Sequence, residues 1–411
     1  MPTQVATHIS LTWLRRSLFL VSMPIFFINF SLPVQAKALG ANATEIGWLI
    51  GLFSFTLLFM RPLVGFGMDR FGRRPFFLGA LFLYAFTYAG YGFAQGLEAM
   101  YTGRILQGFA AAMLLVAVDT ITADLTDSTS LGTEMGKNIQ AQTRSTFVGA
   151  FIGFGLVGMV PLLAWSYSFT LFSVFACLGL LFALVKLPES ASGVGPVSES
   201  ALTANITDRS VQAIDQGSDQ LSMLAEKSKV FRKFLMVLMP IGFCGSMIQP
   251  MYLVYLQDQF TSDMRLLSWA FLPAGILFAI LPAKMGRFVD RGDTIAYLGF
   301  ALGLAGLTCM LIPNFTTFWS VVLVYSVSVV PWTLVDPARK VLVSTFGECN
   351  EVAKSFGISE MYYGIGATTG PIVGGYLYDW VSPQSPFYFN GILSMLVALS
   401  IVLLFSKERS R

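Results

Sequence analysis

A single histidine, His8, stands in 411 residues, and it precedes the first long apolar run. A histidine proton relay, a zinc site and a Ser-His-Asp triad within the apolar part of the chain are thereby excluded. Cysteine is nearly as scarce: Cys177, Cys244, Cys309 and Cys349 are scattered, and no two have metal or disulfide spacing. Charge is the third shortage. Charged residues make up 12 % of the chain, about half the ~25 % of an average soluble domain. No phosphate loop, nucleophile–base pair or metal-ligand set occurs, so no cofactor is expected and the chain does not read as an enzyme.

What fills the space is apolar. Hydrophobic residues account for 55 %, in recurrent runs of ~20 residues, the length that crosses a bilayer. They run from residues 14–36 through 46–66, 75–95 and onward to 385–406, and predict about twelve helices in two groups of six. The few cations are placed unevenly. Arg15, Arg16, Arg70, Arg73, Arg74, Lys137, Lys186, Lys233, Arg287, Lys340 and Lys407 fall in alternate loops and at both ends of the chain. The intervening loops hold little beyond Lys37 and Arg265. The positive-inside rule then predicts a multi-pass protein of the cell (inner) membrane with both termini cytoplasmic. Cations so spread orient helices and do not form a nucleic-acid patch. Trp13, Trp48, Trp165, Trp269, Trp319 and Trp380 lie near predicted helix ends, where an interfacial belt would place them.

Residues 190–232 interrupt the apolar pattern with a polar, Ser- and Gly-rich stretch, which predicts a cytoplasmic linker between an N-terminal six-helix bundle (1–189) and a C-terminal one (233–411). Its later part, 210–229, fits a surface amphipathic helix or an unstructured tract equally well.

One stretch occurs twice. Gly65-Phe66-Gly67-Met68-Asp69-Arg70-Phe71-Gly72-Arg73-Arg74 follows the second apolar run, and Gly286-Arg287-Phe288-Val289-Asp290-Arg291-Gly292 echoes it 221 residues later. In the same register Gly136 maps onto Gly357, Gly149 onto Gly370 and Gly153 onto Gly374. A shared offset across three regions predicts an internal duplication. Parallel repeats about an axis along the membrane normal put a substrate at the interface of the halves.

The Gly65–Arg74 stretch resembles the loop between helices 2 and 3 of the major facilitator superfamily. The resemblance implies an all-α fold of two pseudo-symmetric six-helix bundles working by alternating access, usually as a monomer. It also implies a gating role for Gly65, Asp69, Arg70, Gly72, Arg73 and Arg74, and for Asp290 and Arg291 in the echo. Asp69 is expected against a helix N-terminus near Ser355, which favours an anion, with the arginines pairing to Asp124 or Glu134. The segment Arg104-Ile105-Leu106-Gln107-Gly108 is similar to the Arg-x-x-Gln-Gly motif of the drug:proton antiporter branch. Lipid exposure of Arg104 would cost ~2.5 kcal/mol or more. It is therefore expected to face the bundle interior, against the alternative of snorkelling outward. The branch's glycine–proline motif is complete on the eleventh helix, at Gly366 to Gly375. On the fifth, Phe154 stands where proline is expected.

The first helix carries no acid, so a proton carrier must lie elsewhere. Asp119 and Arg144 are predicted at similar depth on helices four and five, as an ion pair that is either a switch or structural. The second half has an analogous cluster, Asp336, Arg339 and Lys340 on helix ten with Glu360 on helix eleven, Glu360 being a proton site or a partner of Lys340 or of the first-half clasp. Asp258 and Asp263 are expected to be solvated. Asn29, Gln107, Gln249, Tyr252, Tyr255, Tyr362 and Tyr363 are expected to line the substrate surface. Such a cavity suits a hydrophobic or amphipathic molecule. The leading expectation is a proton-coupled exporter; a lipid or glycolipid flippase, a small-metabolite importer and a non-transporting receptor are the alternatives.

Overall fold

The computed structural model describes residues 4–126, 131–159, 164–187, 217–289, 293–346 and 352–405; within these ranges a few side chains, that of Asp69 among them, are not described. The architecture is all helical. Thirteen helices are present among the described residues: α1 Gln4–Ser22, α2 Ile25–Ala38, α3 Ala43–Phe71, α4 Arg73–Gly92, α5 Leu97–Asp124, α6 Leu131–Met159, α7 Ala164–Lys186, α8 Gly217–Gln259, α9 Met264–Val289, α10 Thr294–Leu311, α11 Phe318–Phe346, α12 Val352–Trp380 and α13 Ser385–Leu404. Helices α1 and α2 are two parts of one crossing, which leaves twelve. Helix is the backbone solution that satisfies every amide internally in a medium without water. Eight crossings are apolar enough to span a bilayer on length and composition alone. The more polar α6 and α12 hold some of their glycines, Gly149, Gly153, Gly366, Gly370 and Gly374 among them, against other helices.

The first crossing breaks at Met23-Pro24, where proline supplies no N–H to the preceding turn. Sequence reading had one uninterrupted helix there. The α3–α4 turn falls on Gly72, whose φ of 88° only glycine adopts without strain. That requirement accounts physically for the glycine of Gly72-Arg73-Arg74. Helix α3 starts with a reciprocal cap: Asn42 accepts from the Glu45 amide, and the Glu45 carboxylate accepts from the Asn42 amide. Helix α8 begins at Gly217 and runs without a break into its crossing. Residues 217–232 of the linker are thus part of this helix, and 190–216 lie outside the described residues.

Close helix contacts repeat with the duplication. A Cβ on Gly149 of α6 would collide with the Met23 carbonyl of the first crossing; a Cβ on Gly370 of α12 would collide with the Phe243 carbonyl of α8. One turn on, Gly153 lies against Phe27 and Gly374 against Met247. The same glycine pair seats the same helix pair in each half, shifted by one residue on the receiving helix. Gly149→Val is therefore expected to lower the melting temperature in detergent, at a cost of about 3 kcal/mol from overpacking. An unchanged melting curve would contradict this seat.

Apolar packing is divided unevenly. One buried cluster joins the first half to Met251–Leu256 of α8, Leu267–Ala274 of α9 and Val321–Tyr325 of α11. A second holds Phe231–Ile241, Val335–Phe346 and Val397–Phe405, all from the second half. Both chain termini lie at the same end of the bundle, called here the terminal face. Packing is continuous between the halves at the opposite face and separates toward the terminal face. Trp48, Trp269, Trp319 and Trp380 are exposed, but Trp165 is buried and donates to the Tyr91 carbonyl, outside any interfacial belt.

Candidate functional site

Two ionic contacts close the opposite face. Lys37, in the last turn of α2, lies 2.9 Å from the Asp258 carboxylate near the end of α8. Tyr378 of α12 donates to the same carboxylate at 2.9 Å. Asp258 is thus paired, contrary to the expectation that it is solvated. Lys37 and Asp258 are 221 residues apart, the offset of the duplication itself. On these helices equivalent positions stand 220 residues apart, as Met23 and Phe243 do, so the pair is one residue off equivalence and lies next to the pseudo-two-fold axis. The second contact is Asp379 at the end of α12. It accepts from the amides of Ala43 at 3.1 Å and Thr44 at 2.7 Å, and from the Thr44 hydroxyl at 2.7 Å. A carboxylate there meets the positive end of the α3 dipole. Around this cap the helices touch backbone to backbone: a Cβ on Gly47 would strike the Pro371 carbonyl, and one on Gly375 the Ala43 carbonyl. Sequence reading missed Asp379 and left Lys37 in a loop.

At the terminal face the described pairs lie within a half. Arg15 of α1 pairs with Glu134 of α6, which also meets Lys137. Arg73 pairs with Asp124 at 3.1 Å, and Arg74 donates to the Leu184 carbonyl. Arg70 is exposed, with its guanidinium 5.4 Å from the Phe71 ring. A Cβ on Gly65 would meet open space. Asp290 and Arg291 lie outside the described residues, as does the Asp69 side chain.

Arg104 faces the interior and is 2 % exposed, which excludes snorkelling. Its Nη1 donates to the Gln107 side-chain oxygen at 3.1 Å, and Tyr91 donates to that oxygen at 3.0 Å. The guanidinium also lies 5.5 Å from the Phe53 ring. Arg104 and Gln107 border a cavity of about 120 Å³ between α2, α3, α4, α5 and α6, along with Asn29, Tyr84 and Gln142. A second cavity of about 120 Å³, in the other half, is lined by Cys244, Gln249, Cys309, Ser328 and Asn390. Asn29, Gln107 and Gln249 therefore line cavities. Tyr252 and Tyr255 do not. Tyr252 stacks on Tyr325 at 3.6 Å and Tyr255 packs on Phe387, both in the core. Their aromatic partners draw these faces of α8 inward.

Asp119 and Arg144 form no ion pair; both are exposed, and the cation acting on Asp119 is Arg61 of α3. The buried stripe of α6 is Asn138, Ser145 and Gly149, and Arg144 sits beside it and turned away. Glu360 pairs with Arg339 at 2.7 Å and not with Lys340, which pairs with Asp336 at 2.8 Å. Arg339 also holds Asp336 at 2.8 Å and lies 4.2 Å from the ring of Tyr363, a neighbour of the half-buried Tyr362. The cluster is continuous across α11 and α12. Among the described residues, no three His, Cys, Asp or Glu side chains gather as a metal site would need.

A side cleft of about 510 Å³ opens between α6 and α9. It is walled by Phe151, Phe154, Trp269 and Leu272, with Arg265 at its edge.

Comparison with known proteins agrees with this geometry. The chain is 23 % identical over 398 residues to Multidrug resistance protein 1 of Bacillus subtilis (strain 168), covering 96 % of each chain. It is 20 % identical over 402 residues to Quinolone resistance protein NorA of Staphylococcus aureus (strain COL), again covering 96 % of each. The solved structure of nucleoside transporter NupG superposes with a TM-score of 0.69 at 15 % identity, covering 98 % of this chain and 99 % of that one. The family model for the Major Facilitator Superfamily matches residues 17–345 and 234–411. With two six-helix halves, duplicated glycine seats and an ion pair next to the axis between them, the chain belongs to the Major Facilitator Superfamily: a multi-pass membrane transporter and not an enzyme.

Proposed function

We propose that the protein is a proton-coupled exporter of hydrophobic or amphipathic small molecules, working by alternating access of halves 1–189 and 233–411 about the linker. The observation that carries this is the one-sided closure. The halves are sealed at the opposite face by Lys37–Asp258 and the Asp379 cap, and their cores separate toward the terminal face. The cation bias sets the terminal face in the cytoplasm, so the closed face is the outer one and the state is inward-facing. Export as the direction rests on the full-length similarity to proteins named for multidrug and quinolone resistance.

Proton coupling is assigned to Asp119. It stands on a cavity-forming helix near Arg61 of α3, so its proton affinity depends first on how far it is withdrawn from water and then on how closely α3 and α5 approach. The Asp336–Arg339–Lys340–Glu360 cluster, by contrast, has two acids paired with two bases and serves as structure at the terminal end of α11 and α12. Gating by Asp69 with Arg70, Arg73 and Arg74 belongs to this reading. So does the echo at Asp290 and Arg291.

The test is flux in proteoliposomes with an imposed pH gradient and a panel of amphipathic solutes and short-chain fluorescent lipids. Solute movement tied to proton movement is expected, and Asp119→Asn should abolish the pH-driven part while leaving binding measurable. Unchanged coupling in Asp119→Asn would move the proton site elsewhere. The side cleft between α6 and α9 favours one second reading, a lipid flippase. Lipid flux without proton flux would select it.

A further inference from the structure

Arg104 combines features that a purely structural arginine lacks. It is almost wholly buried, yet among the described residues no carboxylate lies within ion-pair distance of it. Its hydrogen-bonding partner is a neutral amide oxygen that Tyr91 already shares, and its Nε has no acceptor. The guanidinium groups of Arg15, Arg73 and Arg339 each face a carboxylate, and that of the half-buried Arg74, nearer the terminal face, donates to the Leu184 carbonyl. A buried guanidinium left with neutral neighbours retains most of its desolvation cost. Its planar fork matches a carboxylate in shape and charge.

The cavity beside it supplies the rest of a ligand's outline. Phe53, Leu57 and Tyr84 give apolar and aromatic walls, and Asn29 and Gln142 bring amides to the rim. Both amides are partly exposed, so the cavity is not sealed on that side. A volume of about 120 Å³ accommodates a carboxylate on a small ring.

We propose that Arg104 is the anchor of a binding site for the carboxylate of an amphipathic organic monoanion, the ring or chain of which lies against Phe53, Leu57 and Tyr84. The proposal rests on the exporter reading for its biological sense and narrows its substrate class to solutes with an anionic head and an apolar body. The second cavity, lined by neutral groups, then receives no charged part of the ligand.

The experiment measures binding without transport. Radiolabelled benzoate and benzamide, close in shape and different in charge, are titrated onto the purified full chain by scintillation proximity. Saturable benzoate binding, with benzamide weaker by about tenfold or more, is expected. Arg104→Gln should erase this preference and Arg104→Lys should retain part of it. Melting curves check that both variants fold, and the benzoate–benzamide comparison needs no variant at all. Equal binding of the two probes, no saturable benzoate binding, or undiminished preference in Arg104→Gln would each overturn the site. A protein that prefers benzoate but moves no solute would keep the site and sink the exporter reading. Flux of uncharged solutes without benzoate preference would do the reverse.

Discussion

Gly65→Leu is expected to fold and insert like the parent chain and to transport at least about tenfold more slowly. Gly65 lies 18 residues beyond Gly47 on α3, and at 3.6 residues per turn this is about five whole turns. Both glycines therefore present the same face of α3. At Gly47 that face already touches the backbone of α12; at Gly65 there is open space. Rocking the halves to seal the terminal face brings the Gly65 end of α3 toward its partner, and four extra side-chain carbons would hold it off. Overpacking of a contact made only in the other state leaves this state untouched. The measurement is a pair: an unchanged melting curve together with a collapsed flux. Normal flux would show that α3 does not close on anything at Gly65.

The second large effect concerns the axis pair. Lys37→Glu sets two carboxylates face to face where a 2.9 Å ion pair now stands. The lost attraction of a half-exposed pair is worth ~1 kcal/mol or less. Like-charge repulsion adds to it, and a total of ~1–3 kcal/mol moves a two-state equilibrium by about 5- to 150-fold. The face opposite the terminal one should open, read as a longer spin-label distance between the far ends of α2 and α8. Adding Asp258→Lys restores an ion pair of opposite polarity and should restore the distance, because the attraction depends on opposite charges at the two positions and not on which helix carries which. A double variant as open as the single one would mean that the closure depends on other contacts.

Much of this was legible in the sequence, for identifiable reasons. Crossings follow from apolar length. The duplication was visible as a register of glycines, and the structure gives those glycines the same task in both halves. The inward orientation of Arg104 followed from the cost of lipid exposure. What could not be read was azimuth. Asp119 and Arg144 were placed at a common depth, but a single residue step on a helix turns a side chain by about 100°, and Arg144 falls off the stripe of Ser145 and Gly149. Contacts between elements far apart in the chain were equally hidden, such as Asp379 on the first turn of α3. The Lys37–Asp258 pair did leave a trace, since its separation is the repeat length; a search for opposite charges at that offset would have found it.

The interruption at Met23-Pro24 makes the first crossing a jointed strut and not a beam. The distal member, α2, carries Lys37 at its tip and Asn29 beside the Arg104 cavity. Bending a continuous helix would require breaking its hydrogen-bond ladder; here the ladder is already open at the joint, where the backbone of α6 presses on it through Gly149. Stiffness is thereby lowest at the point about which a movable arm would pivot. A disturbance at the cavity end of that arm and one at the latch end are mechanically the same displacement, read from two places.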